Sequence, residues 1–298
     1  MIRRPLLAAA ARRGPRSLLA ACTALLVAAP AALADSTQSS NWAGYAAHSP
    51  RVHFTRVFGA WRQPTVTCTP GAPTYSSEWV GLGGYNIDAS ALEQIGSEID
   101  CNGAGRPVST VWYELVPAPS HNIAMTVAPG DQLSASVSVV GHLVRLQLSD
   151  LTRGRTFVRT VRVTQLDTTS ADWIVEAPSE CSNASSCQQL PLANFGTTAM
   201  TRAATTTSTG HRAAISDPLW RTTQIRLAAS GRRFIGNGAS AGADANPSDL
   251  VFGSTAFAVT YAGSTTAAGA GSYIGQRARS AVAARRSPGG LARPGRRR

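Results

Sequence analysis

Two polar side chains suited to hydrolytic chemistry stand in otherwise apolar or small-residue segments of the chain. Gln94 lies within Leu92-Glu93-Gln94-Ile95-Gly96, and Glu176 ends the run Trp173-Ile174-Val175-Glu176 about eighty residues later. A side-chain amide and a carboxyl group that meet in one groove can hold a water molecule and polarise a carbonyl group. The two segments therefore indicate a minimal peptidase site that requires no metal ion, serine or cysteine.

The carboxyl groups also allow a plainer interpretation. If Glu176 is buried at the end of its apolar strand, desolvation raises the pKa of its carboxyl group, which suits proton exchange in acid. By pattern alone, an edge-strand glutamate that faces water is the commoner case. Gln94 and Glu114 share this ambiguity.

Other catalytic classes find little support in the sequence. None of the five histidines stands in a recognised nucleophile context, and there is no Gly-x-Ser-x-Gly elbow and no glycine-rich phosphate loop. A zinc site would need a Cys-x-x-Cys motif or a nearby histidine pair, and neither is present. We therefore expect no metal ion and no cofactor.

Residues 1–34 have the pattern of a secretory signal peptide. Five arginines precede or enter an apolar stretch that runs from Leu18 to Ala31, and Ala32-Leu33-Ala34 is a small-x-small cleavage site. We expect a secreted, extracellular protein with no stable membrane insertion after cleavage.

The cysteines fit an oxidising compartment. Cys22 leaves with the signal peptide, and the four that remain allow three pairings. Cys181 and Cys187 flank a Ser/Asn loop and most simply close on each other, which leaves Cys68 to pair with Cys101.

The formal charge of +12 comes from the two ends of the chain. Residues 1–34 hold five arginines and residues 264–298 hold eight, with no acidic residue in either segment, so 15 basic residues face 16 acidic ones in the remainder. A nucleic-acid-binding domain carries its basic surface on the folded part, so nucleic acid is not an expected partner. All basic residues are arginines, which together with the alanine and glycine content is typical of a GC-rich bacterial genome.

The elements that must position Gln94 and Glu176 are strands. Apolar residues alternate with polar ones in Ser134–Val139, Val144–Leu148 and Thr160–Thr164, and Asp150-Leu151-Thr152-Arg153-Gly154 predicts a hairpin turn. No helical stripe is evident, so the chain predicts one all-β domain at 35–263, an antiparallel β-sandwich or barrel. We expect a long loop at 229–249 and a disordered, arginine-rich tail at 264–298. Further strands are expected at Phe54–Trp61, Ser77–Leu82, Leu92–Asp100, Ser109–Val116, Asp172–Glu176, Gln224–Ala228 and Ala256–Tyr261.

Seven short motifs, in order along about residues 39–263, resemble those of the glutamic peptidases, the eqolisin family. They are Ser40-Asn41-Trp42-Ala43-Gly44, Trp79-Val80-Gly81-Leu82-Gly83-Gly84, Glu93-Gln94-Ile95-Gly96, Trp112-Tyr113-Glu114, Asp150-Leu151-Thr152-Arg153-Gly154, Trp173-Ile174-Val175-Glu176, and Cys181 to Cys187 with Pro191-Leu192-Ala193-Asn194-Phe195 after it. The chain is identified as resembling a bacterial member of that family.

The resemblance implies a lectin-like (concanavalin-like) sandwich of two bent antiparallel sheets and a catalytic pair made of Gln94 and Glu176. Glu176 would activate a water molecule and pass a proton to the leaving amine, while Gln94 would orient the water and stabilise the oxyanion. Trp42, Trp79 and Glu114 would line the substrate groove. Protein or peptide substrates and a monomer are expected.

Two departures from the family pattern bear on the site. Gly83 and Thr110 stand where the fungal enzymes have acidic residues, so a strongly acidic pH optimum does not carry over. The expected function is that of a secreted, acid-acting glutamic endopeptidase, and the alternatives are a non-catalytic secreted carbohydrate-binding sandwich and a glycosidase that uses Glu114 and Glu176.

Overall fold

The computed structural model describes residues 35–86, 88–183, 186–235 and 243–264; the side chains of 181–186 and 264 are also outside the description. The expected signal peptide at 1–34 and nearly all of the expected tail at 264–298 lie outside the described residues. In the part that is described, every regular element is a strand, and there is no helix long and apolar enough to span a membrane.

The described residues form eighteen strands. They are β1 (Asp35–Ser39), β2 (Trp42–His48), β3 (Phe54–Arg62), β4 (Thr74–Gly83), β5 (Leu92–Cys101), β6 (Pro107–Val116), β7 (His121–Asn122), β8 (Gln132–Val140), β9 (Leu143–Asp150), β10 (Arg155–Arg162), β11 (Ser170–Glu176), β12 (Ser179–Asn183), β13 (Ser186–Gln189), β14 (Thr197–Thr207), β15 (Arg212–Ala213), β16 (Arg221–Leu227), β17 (Ala243–Pro247) and β18 (Phe257–Ser264).

The strands form a large antiparallel β-sandwich. Hydrogen bonding connects them in the order β10-β9-β8-β3-β14-β18-β17-β16-β2-β11-β4-β5-β6-β7, with β15 on β14 and β1 parallel to β16. The path folds back on itself, so that β3 and β8 lie against β4, and β8 and β9 lie against β5, without pairing. The expected all-β sandwich is confirmed.

The layer that contains β2, β11, β4, β5 and β6 has two different apolar faces. One face, with Tyr45, Val80, Ile95 and Trp173, packs against the second layer and forms the main core. The opposite face carries a smaller cluster that also includes two residues from loops. The family resemblance predicts the substrate groove on this side, so it is called the groove face below. The members of the cluster are Trp42, Ala46, Trp79, Tyr85, Leu92, Trp112, Ile174, Ile225 and Phe234.

The expected strands and the hairpin turn are confirmed, with boundaries within a few residues of the expected ones. Asp150 shapes the turn between β9 and β10, because its Oδ1 atom accepts hydrogen bonds from the backbone N–H groups of Thr152 and Arg153. The bridge between Cys68 and Cys101 is present and ties the loop before β4 to the end of β5.

The expectation of a loop over 229–249 is wrong for residues 243–247. Residues 243–247 form β17 between β16 and β18, with Ala243, Ala245 and Pro247 buried and the residues between them half-buried. The buried positions of β17 hold alanine and proline rather than large apolar residues, so the sequence of this strand looked like a loop rich in small residues. Residues 236–242 lie outside the description.

Candidate active site

Strand register places Gln94 and Glu176 on the groove face of the same layer. Gln94 on β5 lies opposite Gly81 on β4, which lies opposite Asp172 on β11, and Glu176 is four residues further along β11. Directly opposed residues in antiparallel strands point to one side of the sheet, and so do residues two or four apart on a strand. β11 is a central strand between β2 and β4, so Glu176 is not an exposed edge-strand residue.

Two side-chain donors hold the carboxylate of Glu176. Oε2 accepts a hydrogen bond of 2.8 Å from Nε1 of Trp79, and Oε1 accepts one of 3.1 Å from Nδ2 of Asn41. Burial raises the pKa of Glu176 to about 7, against the lowering effect of the two donors and of the Arg233 charge, while Glu114 adds to the increase. The carboxyl group therefore exchanges protons near neutrality, as a general acid or base requires.

Asn41 connects Glu176 to Phe234, which lies in the segment after β16. Its Nδ2 atom also donates to the carbonyl oxygen of Phe234, and its Oδ1 atom accepts from the backbone N–H of Phe234 and from the hydroxyl of Ser39. The Phe234 ring stacks on Trp42 at 4.9 Å between centroids. The carboxylate is thus fixed by an amide that has its own partners on both ends.

Gln94 has a different partner on β6. Its Nε2 atom donates a 2.6 Å hydrogen bond to Oε2 of Glu114, the residue directly opposite it. Its Oε1 atom is buried and has no hydrogen-bond partner among the described residues. Burial raises the pKa of Glu114, and the bond from Gln94 opposes that increase.

The residues expected to line the groove belong to this face but differ in exposure. Trp42 and Trp79 are only 1% and 0% exposed, so their main contacts are with the protein, and they meet edge to face at 4.9 Å. Glu114 is half-buried and lies beside Gln94. The use of these three residues in substrate binding stays a prediction.

The two positions where acidic residues were missing each have an acidic neighbour. Gly83 has a φ of +84°, and a Cβ atom there would lie 2.5 Å from the Cβ of Asp167, so Asp167 occupies the space of the absent side chain. The Asp167 carboxylate accepts a hydrogen bond from the backbone N–H of Gly84. Thr110 lies opposite Glu98 and donates to its carboxylate at 3.4 Å.

Sequence reasoning missed Asn41, Arg233 and Asp167 as parts of this region. Asn41 was visible only as a member of the Ser40-Asn41-Trp42 motif, since its amide bonds need the fold to be recognised. Arg233 follows β16 in a Gly/Arg-rich segment, and its guanidinium group donates to the hydroxyl of Ser179. Among the described residues, no cluster of three or more His, Cys, Asp or Glu side chains could hold a metal ion.

The sequence and the fold agree with those of known glutamic peptidases. The family model of the peptidase A4 family matches residues 40–230. Scytalidopepsin B from Scytalidium lignicola is 26% identical over 189 residues, which cover 61% of this chain and 69% of that protein. The chain therefore belongs to the peptidase A4 family, the eqolisins, and is a glutamic-type endopeptidase.

Solved structures of this class have the same fold. Scytalido-glutamic peptidase, crystallised with a peptide-based transition state analog, is 23% identical with a TM-score of 0.59, over 74% of this chain and 98% of that one. Aspergilloglutamic peptidase from Aspergillus niger is 24% identical with a TM-score of 0.50, over 63% of this chain and 99% of that one.

Proposed function

We propose that this protein is a secreted endopeptidase that hydrolyses peptide bonds of protein or peptide substrates with Gln94 and Glu176 and an activated water molecule. The observation that carries the proposal is the environment of Glu176, a carboxyl group with a pKa of about 7 that two donors fix on the groove face. Gln94 lies on the same face with one buried acceptor atom without a partner among the described residues. Solved relatives hold a peptide-based transition state analog or the tripeptide Ala-Ile-His, which is consistent with peptide substrates here.

In the proposed reaction, the ionised carboxylate of Glu176 accepts a proton from a water molecule while the oxygen of that water attacks the carbonyl carbon of the peptide bond. The negative charge then develops on the carbonyl oxygen, where an N–H of Gln94 donates to it. An amide nitrogen has two N–H donors, and only one is needed for Glu114. When the tetrahedral intermediate collapses, the C–N bond breaks and Glu176 returns its proton to the leaving amine nitrogen.

The pKa of Glu176 limits how acidic the working range can be. The base must be ionised at the start, and the ionised fraction falls about tenfold for each pH unit below the pKa of about 7. We therefore propose activity in mild acid rather than at strongly acidic pH.

The first test is digestion of casein by the purified protein from pH 2 to 8, with and without a metal chelator. We expect cleavage within casein chains that the chelator leaves unchanged and that increases from strongly acidic pH towards neutrality. The absence of peptide cleavage at every pH, with binding or cleavage of a polysaccharide instead, would favour the carbohydrate-directed alternatives.

The second test addresses the two residues. Glu176→Gln keeps the shape of the side chain but cannot exchange a proton, so we expect a loss of about 10²- to 10⁴-fold in kcat with an unchanged circular dichroism spectrum. Gln94→Ala should lower kcat by about 10²- to 10³-fold, because an oxyanion donor matters most in the transition state. Near-normal turnover in folded Glu176→Gln would remove Glu176 from the mechanism.

A further inference from the structure

The hydrogen bond between Gln94 and Glu114 is not explained by the proposed catalytic steps. The two residues are directly opposed on β5 and β6, and the bond between Nε2 of Gln94 and Oε2 of Glu114 is 2.6 Å long. Gln94 is 4% exposed, so solvent water offers its amide few alternative hydrogen bonds.

An amide side chain can turn by half a rotation and exchange its nitrogen and oxygen in nearly the same space. Which orientation it adopts depends on its neighbours, because the nitrogen only donates and the oxygen only accepts. An ionised carboxylate only accepts, so Glu114 selects the orientation in which the nitrogen of Gln94 points towards it. The second N–H of that nitrogen remains for another acceptor, and Oε1 is turned away from Glu114.

We propose that Glu114 is a positioning residue that holds the amide of Gln94 in the orientation needed to donate to the oxyanion. The inference rests on the proposed peptidase mechanism and deepens it. Glu114 acts through Gln94 and not on the substrate. Without an acceptor at position 114, the amide would sample both orientations, and in one of them its oxygen would oppose the developing negative charge.

The charge of Glu114 has a second consequence, for Glu176. Glu114 contributes to the raised pKa of Glu176, so a neutral residue at position 114 lowers that pKa. The other acidic groups on this face are Glu98 and Asp100 on β5 and Asp172 on β11, and the Arg233 charge acts on Glu176 from the segment after β16. Substitution of Glu114 leaves these groups in place, so a change in the pKa of Glu176 in such a variant measures the effect of the Glu114 charge.

Two substitutions separate the roles of acceptor and charge. Glu114→Gln loses the charge and keeps an acceptor oxygen, but its own N–H can donate to Gln94, so it weakens the choice of orientation; Glu114→Leu removes both the charge and the acceptor. We expect Glu114→Leu to lower kcat by about 10- to 100-fold at unchanged KM, and Glu114→Gln to lower kcat by a smaller factor. In both variants, the acid-side pKa of the kcat/KM profile should move to lower pH, while Glu180→Gln, which removes an exposed carboxylate, should change neither quantity.

The outcomes distinguish this inference from the proposed function. If the wild-type protein cleaves no peptide, the proposed function fails. If it cleaves normally and Glu114→Leu retains full kcat, the positioning role is overturned. Should Glu114→Leu not fold, nuclear magnetic resonance of the wild-type Gln94 side chain decides, since one of its two N–H protons must show a strong hydrogen bond that is weakened in Glu114→Gln.

Discussion

Arg233 brings a positive charge to a site that is otherwise rich in carboxyl groups. Its half-buried guanidinium group donates to Ser179, three residues after Glu176, and its charge lowers the pKa of Glu176. The next residue, Phe234, holds Asn41 through two backbone hydrogen bonds, and Asn41 donates to Glu176. One short segment therefore influences both the charge state and the orientation of the carboxylate.

We predict that Arg233→Gln raises the pKa of Glu176, because it removes a favourable interaction with the ionised form. The acid limb of the kcat/KM profile should then move to higher pH, and Arg233→Lys should restore most of the shift. Arg226→Gln is the matched control, since Arg226 is exposed on β16 and donates to Oδ1 of Asn246. An acid limb that stays in place in folded Arg233→Gln would show that this charge does not act on Glu176.

At this scale, the sequence identified candidate residues but not their partners. It left the burial of Glu176 open, because an edge-strand glutamate that faces water was the commoner case; only burial in the fold raises the pKa of Glu176. Its partners could not be predicted from local pattern, because Asn41 is 135 residues away and reaches Glu176 only when β2 and β11 pair. The same holds for Asp167, which fills the space beside Gly83 from 84 residues further along the chain.

Among the elements, the hairpin of β12 and β13 begins three residues after Glu176 and is tied to the site at both ends. Arg233 donates to Ser179 at its start, and Nε2 of the buried Gln189 donates to the carbonyl oxygen of Ser40 at its end. The backbone register places Cys181 opposite Cys187. A bridge between them stays a prediction, because the side chains of 181–186 lie outside the description.

We predict that non-reducing peptide mapping finds Cys181 joined to Cys187 in addition to the bridge between Cys68 and Cys101. A bridge of this kind typically contributes about 2–4 kcal/mol to the free energy of unfolding. Because the hairpin contacts Arg233 and Ser40 beside Glu176 and Asn41, the Cys181→Ser/Cys187→Ser double variant should also lose activity at temperatures where the fold is intact. A fragment that joins Cys68 to either residue would contradict this pairing.

Two of the strands that the sequence analysis did not predict, β14 and β17, share one physical cause. β14 is a central strand between β3 and β18, yet it is made mostly of threonine and alanine, and its register shifts between Thr201 and Ala204. β17 is formed by small residues in the same way. Alternation reveals a strand only when one face carries large apolar side chains, and neither strand depends on such residues.

For the whole molecule, the distribution of carboxyl groups links stability to pH. Glu78 lies on the core face of β4, is 0% exposed, and has no hydrogen-bond partner on either carboxylate oxygen among the described residues. Burial raises the pKa of Glu78 to about 8 and that of Glu93 to about 9, and the pKa values of Glu98 and Asp100 are also raised mainly by burial. The folded protein therefore keeps protons on these groups that the unfolded chain releases.

The sign of the effect follows from these raised pKa values. The free energy of unfolding is highest below about pH 4.5, the pKa of these carboxyl groups in the unfolded chain, where they are protonated in both states. It decreases as the pH rises towards and through their higher pKa values in the folded protein. Each such group lowers the free energy of unfolding by up to about 1.4 kcal/mol per pH unit within its window. Ionisation of Glu176 favours activity at higher pH while these groups weaken the fold there, so activity should be greatest in mild acid.

We predict that Glu78→Gln flattens this loss of stability, because the amide is nearly isosteric and does not titrate. Urea unfolding of the wild type at pH values from 3.5 to 8.5 should give a free energy of unfolding that falls with pH between about 4.5 and 8. In Glu78→Gln the decrease in the free energy of unfolding with pH should be smaller, by about the contribution of one titrating carboxyl group. In the control Glu180→Gln, which removes an exposed carboxylate, the decrease should match that of the wild type. An equally steep fall in folded Glu78→Gln would mean that Glu78 is ionised in the core at neutral pH, and that the pH limit of the enzyme must come from another group.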